Sequence, residues 1–232
     1  MDAERFPMML MYHSVEPYTE DPFQVTVRPE RFEKQMKWLH RRGLRGVSMR
    51  SLLAAESTKG LVGLTFDDGY TDFLTHVVPV LERFDFTATV FVLPGRLGGH
   101  NAWDEPGPRK PLMTATEIRR AAAAGMEIGS HGLVHQSLPA CAVRALTDEV
   151  AGSRAILTEL IGADVTGFCY PYGHAGQREL DAVRAAGYDY ACAVRPGELA
   201  GEYALPRTFV GDRDHAARLF AKWARHTLRG AR

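Results

Sequence analysis

Along most of the chain, short apolar runs rich in β-branched and aromatic residues alternate with segments whose apolar positions recur at helical spacing. "PMMLMYH" predicts a first strand. "PERFEKQMKWLHRRG" predicts a helix, because Phe32, Met36 and Leu39 fall on one face and Gly43 suits its C-terminal cap. "LVGLTF" is apolar throughout, as in strands buried on both faces of a parallel sheet. "THVVPVLERF" predicts a helix with Pro79 near its start or at a kink. "TATVFVL" reads as a strand and "TATEIRRAAAAG" as a helix, with Thr114 and Glu117 at capping-box spacing and Gly125 at its end. Then come a strand at "MEIGS", a helix over 143–161, a strand at "VTGFCY", a helix at "RELDAVRAAG" closed by Gly187, a strand at "YDYACAV", and a last helix from about Asp214.

Strand and helix in regular succession imply right-handed crossovers and a parallel sheet. Six or seven such units fit a closed barrel better than a small open sheet, with an open doubly wound sheet as the alternative. No linker-like stretch or repeat interrupts the 232 residues, so one domain over 1–232 is expected. In a barrel, chemistry collects at the C-terminal ends of the strands.

Composition narrows the function classes. Lys plus Arg and Asp plus Glu each total 28, so no global field recruits nucleic acid or an anionic membrane. No run reaches the roughly 20 apolar residues of a spanning helix, and "MDAERFPMMLMYHSV" lacks a basic flank and a cleavage site, so a cytoplasmic protein is expected. Cys141, Cys169 and Cys192 form no Cys-x-x-Cys pair, which favours free thiols.

Three polar clusters follow three predicted strands: Asp67 and Asp68 after "GLTF", His131 and His135 after "MEIGS", and Tyr170 to Gly173 after "VTGF". Successive side chains of a strand point to opposite faces, so both aspartates reach one site only if the backbone turns, which Gly69 permits. Gly132 and Pro139 favour a loop for "SHGLVH". Two histidines and a carboxylate from a neighbouring strand end make a three-ligand set with open positions, the layout of a catalytic rather than a structural metal site.

"TFDDG", "SHGLVH" and "YPYG", in that order on a βα-repeat chain, resemble the polysaccharide deacetylase family with the NodB homology fold, carbohydrate esterase family 4. The likeness runs from about residue 7 to 210, and "MYHSV" is similar to the branch with an N-terminal Tyr-His-x-Val segment. It implies a distorted (β/α)7-type barrel that removes acetyl groups from an N-acetylated sugar or glycan. It also implies one divalent ion, zinc by default, with cobalt, nickel or iron as alternatives. Asp68, His131 and His135 would be the metal ligands, Asp67 the general base, and the Tyr172 amide an oxyanion donor.

The chain departs from the pattern at three places. Cys169 stands where many members have the arginine that pairs with the base, and Arg207 in "LPRTF" is the candidate replacement. Gly132 replaces a Ser or Thr, removing a hydroxyl beside the first histidine. The late Leu-x-x-His is missing. His13 is therefore the candidate general acid, with His174 in reserve, while "LGGH" at His100 precedes the metal histidines and is set aside. Trp103, Tyr170, Pro171 and Arg207 are the residues expected against the substrate. Trp103 would stack on a sugar ring, Asn101 and Asp104 would read hydroxyls, and Tyr12, Tyr70 and Tyr172 would line the site. Two other readings keep the fold: an amidohydrolase for a formamide, cyclic imide or ureide, and a carbohydrate-binding member with weak or no turnover. Iron-dependent oxygen chemistry would suit the same ligands, but the spare carboxylate beside them argues against it.

Overall fold

The computed structural model describes residues 6–229. The leading residues that entered the expectation of no export lie partly outside them. A parallel sheet, nearly closed into a barrel and wrapped by helices, organises the chain. In chain order its elements are β1 (Met9–Tyr12), β2 (Ser14–Val15), β3 (Thr26–Val27), α1 (Pro29–Arg41), β4 (Arg45–Val47), α2 (Met49–Leu53), β5 (Leu61–Phe66), α3 (Val78–Arg83) and β6 (Thr89–Val92). The second half adds α4 (Ala115–Ala123), β7 (Glu127–Ser130), α5 (Val143–Thr147), α6 (Ser153–Ile161), β8 (Gly167–Cys169), α7 (Gln177–Ala185), β9 (Tyr190–Ala193), β10 (Leu205–Pro206), β11 (Thr208–Phe209) and α8 (Ala216–Arg229).

Neighbours around the sheet run β10, β9, β8, β7, β6, β5, β1, β11, while β4 pairs with the first half of β5. The last segment changes partners. Leu205 and Pro206 pair with β9, Thr208 and Phe209 pair with β1, and Arg207 lies between them. One length of chain thus bridges the two edges of the sheet.

The two faces of each strand serve different cores. Leu10, Tyr12, Leu64, Phe66, Val90 and Phe168 pack outward against Phe32, Met36, Leu39, Leu81 and their neighbours. Met9, Phe91, Cys169, Tyr190, Cys192 and Leu205 fill the interior, which α2 plugs from the N-terminal ends of the strands with Met49 and Leu52. Buried Glu127 fixes that plug, accepting from the Arg50 amide (2.8 Å), the Thr89 hydroxyl (2.7 Å) and the Tyr190 hydroxyl (2.9 Å). The short β4 and α2 carry too few residues for a periodic signal and were not anticipated from the sequence. Elsewhere the helix expected over 143–161 relaxes into a π-type turn at Asp148–Gly152 between α5 and α6, and Pro79 sits in the first turn of α3. Among the described residues no helix is long and apolar enough to cross a membrane.

The interior has little slack. A Cβ on Gly129 would lie 2.4 Å from Phe91 Cδ1 and 3.2 Å from the Gly167 carbonyl oxygen. Gly129→Ala should therefore destabilise the fold by about 1–3 kcal/mol through overpacking, read as a lower midpoint in urea with an unchanged slope.

Candidate active site

Alternation along the strands selects what faces the barrel mouth. On β5, Gly63 and Thr65 point inward and Asp67 continues that face; on β1, Met9 points inward and His13 follows at the same parity. Asp68 would by parity point away. Its left-handed backbone (φ 71°), followed by Gly69 (φ 70°), turns it back toward the mouth. Side chains at Gly69 are excluded as well, since a Cβ there would lie 2.9 Å from Val92.

Asp67 is locked on one side. Arg207 donates from Nη1 to Oδ1 (2.6 Å) and from Nη2 to Oδ2 (2.8 Å), and also to the Thr65 hydroxyl (3.0 Å) and the Cys169 sulfur (3.0 Å). Burial works to raise the Asp67 carboxyl, but the charge and hydrogen bonds of Arg207 outweigh it, with help from His131 and His13, so it lies below the ordinary carboxylate range. Burial pushes the Cys169 thiol well up, leaving it neutral beside the guanidinium. On the open side, His13 Nε2 lies 3.9 Å from Asp67 Oδ2.

Asp68 faces two imidazoles. Its Oδ1 is 3.3 Å from His131 Nε2 and 3.4 Å from His135 Nε2, yet it takes part in no well-aligned hydrogen bond. Burial raises the Asp68 carboxyl and the two histidines more than reverse that, holding it well below its usual value. His131 Nδ1 lies 2.9 Å from the Cys169 carbonyl oxygen, which requires a donating Nδ1–H and turns Nε2 toward Asp68. The histidine loop is non-helical, with positive φ at Gly132 (83°) and His135 (69°). Glu149, brought inward by the π-type turn, accepts from the Leu133 (2.7 Å) and Val134 (3.2 Å) amides. A Cβ on Gly132 would sit 2.7 Å from the Glu149 carboxylate, so the hydroxyl residue of other family members has no room here. Glu149 does the loop-holding instead. No sequence signal marked it, because it lies mid-helix on a segment read only for its apolar face.

His135 is clamped between rings, stacked on Trp103 at 4.3 Å and edge-on to Tyr172 at 4.6 Å. Trp103 comes from the long segment after β6, tied down by the Tyr70 hydroxyl on Asp104 (3.3 Å) and by Lys110, which reaches Ser14 (3.1 Å) and Glu16.

Several expectations need correction. Tyr170 and Tyr12 take the outward parity of their strands and lie in the helix-facing core, with the Tyr170 hydroxyl on the Tyr203 carbonyl oxygen, so neither ring lines the mouth. Arg207 is fully buried against Asp67 and has no surface for substrate. The Asn101 amide is consumed by Asp104, Pro108 and the Lys110 amide. One indole face of Trp103 is taken by His135. Pro171 is buried behind the Gly132 turn, and His174 is exposed with no ion pair to either aspartate. Asp67, Asp68, His13, His131 and His135, by contrast, gather at one mouth, with Trp103 and Tyr172 packed against His135.

A parallel barrel with paired carboxylates and histidines at its strand ends defines a barrel hydrolase site. Comparison with known proteins narrows the class: residues 54–191 match the polysaccharide deacetylase family, and the chain belongs to that family. It is 30% identical to YxkH of Bacillus subtilis over 210 residues, covering 87% of this chain and 70% of YxkH. It is 23% identical over 214 residues to a poly-β-1,6-N-acetyl-D-glucosamine N-deacetylase of Staphylococcus aureus, covering 85% of this chain and 72% of that protein. The fold matches the Streptococcus pyogenes deacetylase PplD in complex with acetate, with a TM-score of 0.76 at 21% identity over 93% of this chain and 96% of PplD. It also matches IcaB of Ammonifex degensii, with a TM-score of 0.75 at 23% identity over 94% and 96% of the two chains.

The buried pair generates a pH-dependent prediction. A carboxyl depressed in the folded state contributes stability that is present above its unfolded pKa and lost as pH falls through the folded value. Arg207→Met should cost about 3–5 kcal/mol at pH 7 by stranding Asp67, and the cost should shrink in acid as Asp67 protonates. Urea titrations of wild type and variant at pH 7 and pH 4 check this, and Asp67→Asn/Arg207→Met should recover part of the loss at pH 7.

Proposed function

We propose that this chain is a metal-dependent de-N-acetylase acting on an N-acetylated glycan. The observation that carries the reading is the division of two adjacent carboxylates: Asp68 turned onto two imidazoles, Asp67 held apart by a guanidinium. Buried Asp68 Oδ1, unpaired yet within 3.4 Å of both histidine Nε2 atoms, is the kind of orphaned acceptor that a cation satisfies. The donors fit a divalent ion held by Asp68, His131 and His135, zinc first, with cobalt, nickel or iron sharing the same preferences. Such an ion, when bound, polarises the amide carbonyl and acidifies water.

The chain's own residues do the rest. Asp67 Oδ2 faces His13 and takes the proton of the attacking water, while Arg207 keeps the carboxylate ionised and fixed in plane. Being a weak base, Asp67 holds that proton briefly, and His13 supplies the proton that the leaving nitrogen needs. The Tyr172 amide, on a left-handed residue between Pro171 and Gly173, is assigned to the developing oxyanion. The free face of Trp103 and the Tyr172 ring are assigned to the sugar. The name of the Staphylococcus aureus relative makes β-1,6-linked N-acetylglucosamine oligomers the first substrates to try.

Asp67→Asn should bind metal with unchanged stoichiometry and release acetate roughly 10²–10⁴-fold more slowly, as measured by metal analysis and an acetate assay on the same samples. Full activity in that variant would remove Asp67 from the role of base. Formate or ammonia in place of acetate would redirect the reading to another amide. Metal-loaded protein that binds oligomers without chelator-sensitive turnover would make the chain a binding module.

His13→Ala should lower kcat for acetamido sugars far more than for substrates with a good leaving group, such as an aryl acetate, because the latter needs no proton on departure. Equal losses on both would assign His13 to positioning.

A further inference from the structure

Opposite charges balance over the whole chain, but not along the groove between α1 and α8. That groove has a volume of about 700 Å³ and is lined by Arg31, Lys34, Lys37, Arg41 and Arg42, with no carboxylate in its lining. Lys34, Lys37 and Arg41 are exposed, and none of them, nor Arg31, forms an ion pair with a described residue. Of the two acids on α1, Glu33 pairs with Arg83 at 3.3 Å, and Glu30, in the first turn, lies outside the groove lining. Spacings of three, three and four residues put Arg31, Lys34, Lys37 and Arg41 in one stripe along α1, with successive steps of about 5 Å. A row of unneutralised cations in a concavity concentrates positive potential there.

A row of cations at regular steps complements a linear polyanion, and the aromatic residues discriminate among polyanions. Arg42 lies over Trp38 (4.6 Å), Phe220 (4.9 Å) and Trp223 (5.9 Å), so a guanidinium takes one face of each ring where a nucleic-acid base would stack, while Phe220 stays partly exposed. A flat bilayer also fits a concave groove poorly. Ala216 is exposed in the groove lining beside Leu219, and a sugar ring uses such apolar surface where inorganic polyphosphate does not.

We propose that the α1–α8 groove binds an acidic polysaccharide, with Arg31, Lys34, Lys37 and Arg41 meeting its successive anionic groups. This would tether the enzyme to an acidic glycan matrix through a surface separate from the Asp67–Asp68 mouth. The proposal stands whether or not the chemistry proposed for that mouth holds.

Polygalacturonate is the probe, because it is acidic and carries no acetamido group for the active site to recognise. Titration of the full chain at low salt should show binding that weakens steeply as salt is added. Lys34→Glu/Lys37→Glu/Arg41→Glu should weaken it by about tenfold or more, with the far-ultraviolet circular dichroism of the wild type retained at the assay temperature, since the three side chains are exposed and in no ion pair with a described residue. The glutamine triple variant, which removes charge without reversing it, should fall between the two. No binding at low salt, or equal binding by all three proteins, would overturn the proposal. So would tighter binding, equally sensitive to the substitutions, to single-stranded DNA, linear polyphosphate or phosphatidylglycerol vesicles.

Discussion

The buried pair between Asp67 and Arg207 is the contact on which both the fold and the site depend. Two charges removed from water are costly, and the geometry offsets this with two short parallel hydrogen bonds plus contacts to Thr65 and Cys169. Arg207 sits where the last segment leaves β9 for β1, so the pair lies at the seam of the barrel. Sheet closure and orientation of the carboxylate are therefore one event.

That arrangement explains the cysteine found where other family members have an arginine. Cys169 Sγ touches the guanidinium of Arg207, so a second guanidinium from β8 would occupy the same space and add a like charge to a buried place. Here the cation comes from the segment between β10 and β11 rather than from β8, and a small neutral side chain occupies the β8 position. Gly132 belongs to a similar exchange: the hydroxyl is absent, and the carboxylate of Glu149, delivered by the π-type turn, holds the loop in its place.

Much of this was legible in the sequence because periodicity is a physical constraint. The alternation of βα units fixed the parallel barrel, and the three motifs at strand ends located the mouth. Strand parity, carried one residue further, would also have separated His13 from Tyr12 and Cys169 from Tyr170, since the inward face of β1 includes Met9 and that of β8 includes Cys169. What stayed hidden depends on long-range geometry. Glu149, Lys110 and the covered face of Trp103 act through contacts that no local pattern announces. The plug formed by α2 escaped notice because five residues are too few to show a period.

The order of the elements along the chain has a consequence for synthesis. During translation β1, β5 and β7 emerge before the segment that carries Arg207, 140 residues after Asp67, so a nascent chain holds Asp67 without the counter-charge that orders it. The orientation of that carboxylate waits on the docking of a segment made much later.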